Sequence, residues 1–277
     1  MNLKKFLKRT NKLLYKISKT SKEKGAYFVA YSCMGKLLLW TINDYYKMML
    51  VEKSKERGIY YVICTGRKFI LHLLIRGYYE FLVSPGTFKM GGHTYTYFYH
   101  KYTWGNDRVV EIPIILEMMK KYSDKKILEV GNVLYYYFPV KHDILDKYDK
   151  MKGIINQDAA DFKPAYKYDF IITISTLEHI GWDEKPRDPT KILRAIENLT
   201  SCLAPKGKMI VTLPIGYNPE MDKLLKAGKI KFPKQYYLKR VREDKWKEAK
   251  WEDICDTKNW YPFTAANGLL VGIIEKS

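Results

Sequence analysis

Three short stretches place residues that can do chemistry at spacings a single site could use. The first is ILEVGN, residues 127–132, where Glu129, Gly131 and Asn132 end an apolar run. The second is HDILDK, 142–147, which ends in Asp146 and Lys147. The third is STLEH, 175–179, which closes the apolar run YDFIITI with Ser175, Leu177, Glu178 and His179. An acid and then a glycine at the end of a strand is how a nucleotide-binding loop begins. Asp146 stands 15 residues beyond Gly131 (146 − 131), near the spacing that brings an acid to a ribose. Histidine is the side chain best able to take a proton near neutral pH, which makes His179 a candidate general base. Glu178 beside it is a weaker candidate, for orienting the base or the acceptor.

These stretches need a scaffold, and the periodicity supplies one. Residues 126–130, 142–146, 168–175, 208–213 and 268–274 read as strands, and 109–122 and 188–203 as helices. In the first helix, Pro113 should confine regular turns to the part that follows it. The run 168–175 is continuously apolar, as a strand covered on both faces should be. Such alternation implies an α/β, doubly wound, mostly parallel sheet. Its ligands sit outside the carboxyl ends of the strands. That rule adds Asp158 and Ala159, which follow Gly153-Ile154-Ile155. Upstream, residues 86–102 read as a β-hairpin about Gly91-Gly92, and 26–82 as helical stretches with aromatic faces. The chain is thus expected to comprise a basic arm (1–24), a helical and hairpin cap (25–108) and a Rossmann-like domain (109–277).

Charge is uneven along the 277 residues. Residues 1–125 hold 23 Lys/Arg against 9 Asp/Glu, and residues 126–277 hold 26 against 21. The two excesses, +14 and +5, sum to +19. A basic arm suggests an anionic partner, whether a membrane surface, nucleic acid or a phosphorylated substrate, and is equally a plain solubilising face. Leu3, Phe6, Leu13, Leu14 and Ile17 share a helical face among lysines, the pattern of an interfacial helix. It is equally the pattern of a solvated helix docked on its own domain. Neither a signal peptide nor a run long enough to span a bilayer is read. The four cysteines, Cys33, Cys64, Cys202 and Cys255, are far apart, which fits free thiols in a reducing cytoplasm. No metal-ligand spacing is read among the histidines.

The glycine loop narrows the ligand. A pyrophosphate needs several small residues so that backbone amides can approach it. Here Asn132, Val133 and Leu134 follow Gly131, and no GxxxxGK[ST] stretch exists. That argues against NAD and ATP and permits an adenosyl ligand without phosphates.

In order, ILEVGN, HDILDKYD, INQDAADF, YDFIITISTLEHIGWDE and LAPKGKMIVTLPIGYNP resemble the class I S-adenosylmethionine-dependent methyltransferases. The resemblance covers about residues 105–277. NDRVVEIP, TLEHIGWDEKPRDP and LPIGYNP are further similar to a prokaryotic group associated with glycan or cell-envelope biosynthesis. The resemblance implies a sheet with an antiparallel last strand and S-adenosylmethionine as cofactor. Glu129 would hold the cofactor's amino acid end, against the backbone at Gly131. Asp146 would take the ribose hydroxyls, and Asp158 the adenine amine beside the Ala159 amide. Ser175 and Leu177 would form the floor; Asn132 and Lys147 adjoin. The chain departs from the family at the second and third glycines.

Bland readings stand beside these. Asp169 begins its strand, away from ligands, and is read as structural; Asp143 is read as solvent-facing or capping. Tyr135-Tyr136-Tyr137 reads as packing rather than a stacking platform, and His72 as a core histidine. His179 could equally be a polar cap under Trp182. The expected activity is methyl transfer to a sugar, glycan or other small acceptor at oxygen. Two alternatives are a nucleic-acid-binding protein or RNA methyltransferase, suggested by the basic N-terminal half, and a non-catalytic scaffold that has lost the cofactor.

Overall fold

The computed structural model describes residues 86–277, apart from 101, 102, 104, 243, 244 and 264. They belong to the second of the chain's two units, Pro85–Ser277. The arm 1–24, the stretches of 26–82, His72, Cys33 and Cys64 lie outside the described residues.

The described chain opens with the hairpin β1 (Thr87–Met90) and β2 (His93–Thr96), turned at Gly91 and Gly92. Both glycines have positive φ, 58° and 80°, as a two-residue turn between twisted strands requires. Helix α1 (Arg108–Met119) follows, then the strands β3 (Ile127–Val130), β4 (Asp143–Leu145), β5 (Ile154–Ile155) and β6 (Tyr168–Ile174). The remaining elements are α2 (Lys191–Ser201), β7 (Leu203–Pro214), α3 (Pro219–Lys226), β8 (Lys234–Arg242), β9 (Lys245–Ala249), α4 (Trp251–Ile254) and β10 (Gly268–Glu275). Eight strands form one sheet in the order β5-β4-β3-β6-β7-β10-β8-β9. β5 through β7 are mutually parallel, and β10 runs antiparallel to both of its neighbours. This is the doubly wound sheet with an antiparallel last strand that the class I methyltransferase resemblance implies. The chain reverses its direction of strand addition between β3 and β6, which makes their carboxyl ends the switch point.

Both faces are covered, so the central strands are apolar without alternation. Leu128, Ile171, Met209 and Val211 pack on one face against Ile192, Ala195 and Leu199 of α2. Ile127, Phe170, Ile172 and Ile210 pack on the other against Val110, Ile114 and Ile115 of α1. Each such side chain, fully buried, contributes about 1.5–3 kcal/mol.

Helix α1 does not wait for Pro113 but runs through it. Proline removes the N–H that would bond to Val109, and the Phe98 N–H takes that carbonyl instead, at 3.0 Å. The domain boundary expected at 109 falls inside the unit that begins at Pro85. The hairpin packs on the sheet through Phe88 and Met90, and the Tyr97 hydroxyl accepts from the Trp246 N–H at 2.8 Å. Finally, β8, β9, α3 and α4 went unread. β8 and β9 lie at one edge with one face half-exposed, so their lysine-rich sequences lack a continuous apolar run. Asp169 is structural, accepting the Lys126 N–H at 2.9 Å. Asp143, half-buried, accepts from the hydroxyls of Tyr166 and Tyr168 rather than capping. Among the described residues no helix is long and apolar enough to cross a membrane, and no group of His, Cys, Asp and Glu could hold a metal ion.

Candidate active site

A cavity of about 510 Å³ opens at the carboxyl ends of β3 to β6. Its size is that of a small-molecule site. Gly131, Asn132 and Val133 contribute from the β3 loop, Asp146 to Asp149 from the β4 loop, and Gln157 to Ala159 from the segment after β5. Thr176, His179, Ile180, Asp183 and Glu184 follow β6. Of the expected residues, Gly131, Asn132, Asp146, Lys147, Asp158, Ala159 and His179 therefore meet at one cavity.

Gly131 is required where it stands. Its φ is +85°, and a Cβ there would lie 2.3 Å from Thr176 Oγ1. The β3 and β6 loops thus touch through the absent side chain. Glu129, expected on the ligand, is not among the residues that line the cavity. It is fully buried, and its Oε1 accepts from the N–H groups of Val133 (2.9 Å) and Leu134 (2.8 Å). Its Oε2 meets His142 Nε2 at 2.7 Å. Bulky residues succeed in this loop because Glu129 holds its amides from beneath. The loop continues as a single 3-10 turn, Leu134–Tyr136.

Asp146 Oδ1 accepts from the N–H groups of Tyr148 (2.8 Å) and Asp149 (2.9 Å), which fixes the carboxylate. Its Oδ2 takes no hydrogen bond from a described residue and remains available to a diol. Asn132 donates to Asp149 at 2.8 Å, while its own buried Oδ1 has no partner. Asp158 is at the cavity, but its carboxylate is already engaged. Oδ2 sits 2.8 Å from Lys147 Nζ and 2.5 Å from Lys191 Nζ, and Oδ1 accepts the Ala160 N–H. Burial raises its pKa, yet the two lysines outweigh burial and hold it down at about 2. Glu184 completes this group of four charges, 2.5 Å from Lys191. An adenine amine expected on Asp158 would have to share it with both lysines.

Ser175 and Leu177 are not the cavity floor. Leu177 is wholly inside the core, and the Ser175 hydroxyl donates to Glu111 at 2.6 Å on the other side of the sheet end. Thr176, between them, is the residue of this stretch that lines the cavity. Glu178 is buried too, and belongs with Asp107, Arg108 and Glu111 rather than with the cavity lining.

The sequence reading missed two partners of His179. Its Nδ1 lies 2.5 Å from Asp183 Oδ2, and the Tyr217 hydroxyl donates to the same oxygen at 2.8 Å. The Tyr217 ring meets the imidazole edge-on, with centroids 4.7 Å apart. Burial raises the Asp183 pKa, but hydrogen bonds from His179 and Tyr217 carry it below the ordinary value. Burial, then the bond to Asp183, pushes the Tyr217 phenol well up, so it stays a donor. With Nδ1 on a carboxylate, Nε2 is the nitrogen left to act as a base, 3.7 Å from Glu178 Oε1. Two signals were present: the i, i+4 spacing of His179 and Asp183, and Tyr217 in LPIGYNP. Tyr136 and Tyr148 also border the cavity, 61% and 66% exposed, so the Tyr135–Tyr137 run is not simply packing.

No protein-family model matches the chain, and no curated protein does. Among solved structures, it is similar to the N-methyltransferase NodS from Bradyrhizobium japonicum in complex with S-adenosyl-L-homocysteine. Identity there is 13% over 62% of this chain and 94% of that one, with a TM-score of 0.36. The sugar N-methyltransferase KedS8 from Streptoalloteichus gives 10% identity over 58% and 85%, with a TM-score of 0.31. An S-adenosylmethionine-dependent methyltransferase from Clostridium acetobutylicum gives 14% over 57% and 88%, with a TM-score of 0.30. At such identities the chemistry has to be read from this chain's own residues.

Proposed function

We propose that the protein transfers a methyl group from S-adenosylmethionine to a hydroxyl of a sugar, glycan or other small acceptor. One observation carries the reading: a cavity at the switch point has a ribose-type acid, Asp146, on one wall and an oriented imidazole, His179, on another. The residues fit the cofactor. Gly131 leaves a cradle that a Cβ would fill, Asp146 Oδ2 is open for two hydroxyls, and the buried Asn132 Oδ1 lacks a donor. When bound, the sulfonium supplies an already activated methyl group.

The chain's part is alignment, exclusion of water and removal of one proton. Asp183, held by Tyr217, would fix the imidazole through Nδ1 and leave Nε2 for the acceptor. His179 Nε2 would take the proton of the acceptor hydroxyl as that oxygen replaces sulfur on the methyl carbon, the carbon–sulfur bonding pair staying with the departing S-adenosylhomocysteine. Asp183 then stabilises the imidazolium. The discriminating assay incubates the full chain with labelled S-adenosylmethionine and a panel of sugars and nucleotide sugars. A product one methyl heavier supports the reading. Cofactor binding with no turnover on any acceptor supports the non-catalytic alternative, and labelled RNA would favour the nucleic-acid alternative.

A further inference from the structure

Lys147, Asp158 and Glu184 line the cavity from three separate segments, those that follow β4, β5 and β6. Lys191, the first residue of α2, joins them without lining it. The group holds two ammoniums and two carboxylates, so it is neutral within itself. Asp158 Oδ2 lies 2.8 Å from Lys147 Nζ and 2.5 Å from Lys191 Nζ. Glu184 Oε2 lies 2.5 Å from Lys191 and 3.3 Å from Lys147.

The two lysines are not equivalent. The Lys191 side chain is 11% exposed and sits at 2.5 Å from both acids, so it is fixed between them. The Lys147 side chain is 38% exposed and makes one close contact, with Asp158. Its flexible stem already brings it within 3.3 Å of a second carboxylate. A carboxylate oxygen offers two acceptor sites. On Asp158 Oδ2 both are filled by lysines, and Oδ1 holds the Ala160 N–H at 3.0 Å. A ligand N–H directed at Oδ2 therefore meets an ammonium already in place. Lys147 can yield without leaving any charge bare, because Glu184 receives it and Lys191 stays on Asp158.

We propose that Lys147 is a strap on the cavity, which releases Asp158 and moves to Glu184 when a ligand N–H takes its place. The inference rests on the methyl-transfer reading, in which that ligand is the adenosyl compound. Lys147 is then a residue that lowers affinity, the opposite of a ligand contact. The apparent affinity falls by the fraction of molecules in which the strap is closed. The hydrogen bond to Asp158, against burial, pushes the Lys147 pKa up, which keeps the strap charged.

The test is calorimetry on the full chain, wild type and Lys147→Met, with melting curves to verify folding. Methionine keeps an apolar stem and removes the ammonium. The ligands are S-adenosylhomocysteine and 5′-methylthioadenosine, which carries no charge and so has little salt dependence of its own. The proposal expects Lys147→Met to bind both about two- to fivefold tighter than the wild type at low salt, the strength of a partly exposed ion pair. Raising salt from about 50 to about 500 mM should tighten 5′-methylthioadenosine binding to the wild type and not to the variant, because screening loosens the strap. Equal binding by the variant overturns the strap, and weaker binding makes Lys147 a ligand contact instead. Should the variant fail to fold, the wild-type salt response decides alone: tighter binding upholds the strap, unchanged or weaker binding overturns it. A strap that fails while the wild type still binds leaves the methyl-transfer reading standing. If neither compound binds either chain, that reading falls and the strap falls with it.

Discussion

His179 Nδ1 and Asp183 Oδ2 lie 2.5 Å apart, one turn apart in sequence, with the Tyr217 hydroxyl on the same carboxylate oxygen. The pair and Tyr217 tie the loop after β6 to the loop after β7. His179→Ala is expected to lower turnover by about 10²–10⁴, the usual contribution of a general base. Asp183→Asn should lose about tenfold or more of it through misorientation. Both variants should keep cofactor affinity. Turnover is read by methyl incorporation and affinity by calorimetry. Full turnover in His179→Ala would remove the base, and loss of folding in both variants would make the pair a structural cap.

Asp146 Oδ1 is held by the amides of Tyr148 and Asp149, and the proposed function assigns Oδ2 to the two ribose hydroxyls. Asp146→Ala should weaken S-adenosylhomocysteine binding by about 1–3 kcal/mol, the loss of hydrogen bonds to a charged group. Unchanged affinity would disprove the assignment.

Gly131→Ala tests the contact between the β3 and β6 loops. The new Cβ meets Thr176 Oγ1 in a left-handed backbone position, which costs roughly 1–2 kcal/mol before the clash is counted. We expect a lower melting temperature and loss of cofactor binding. Normal behaviour in both would mean that the two loops can separate.

Much of the site was legible because a parallel sheet places its ligands at predictable sequence points. Reading the residues after each strand singles out Gly131, Asp146, Asp158 and His179, and these four line one cavity. What failed was the direction of side chains within one short segment. Ser175, Leu177 and Glu178 follow the same strand as Thr176 and His179, yet Ser175 has φ of 39° and the segment turns as a 3-10 helix. One-residue steps there decide between cavity, core and the α1 cluster. Glu129 was misplaced for a related reason: a buried acid under a loop is indistinguishable in sequence from one on a ligand. Tyr217 was quoted only as a resemblance, since nothing local shows that it reaches Asp183, 34 residues earlier.

Stability should respond to pH through Asp222, whose carboxyl is pushed up to about 6, burial outweighing the Gly216 N–H and Lys226. The folded pKa is raised, so this stability is fully present below the unfolded value of about 3.9 and is lost as pH rises through about 6. Above that, the ionised group costs the fold on the order of 1–3 kcal/mol. Asp222→Asn keeps an acceptor for the Gly216 N–H, 3.0 Å away, and removes the charge. Its melting temperature should exceed that of the wild type at pH 8 and match it near pH 4. A difference independent of pH would contradict this.

The central claim is that the cavity after β3, β4 and β6 is an adenosyl-cofactor site despite its single glycine. Titrating the full chain with S-adenosylhomocysteine by calorimetry tests it most directly. The account predicts saturable one-to-one binding with a dissociation constant in the micromolar range or tighter, weakened by Asp146→Ala. Absence of binding at millimolar ligand by a correctly folded wild-type chain would contradict it.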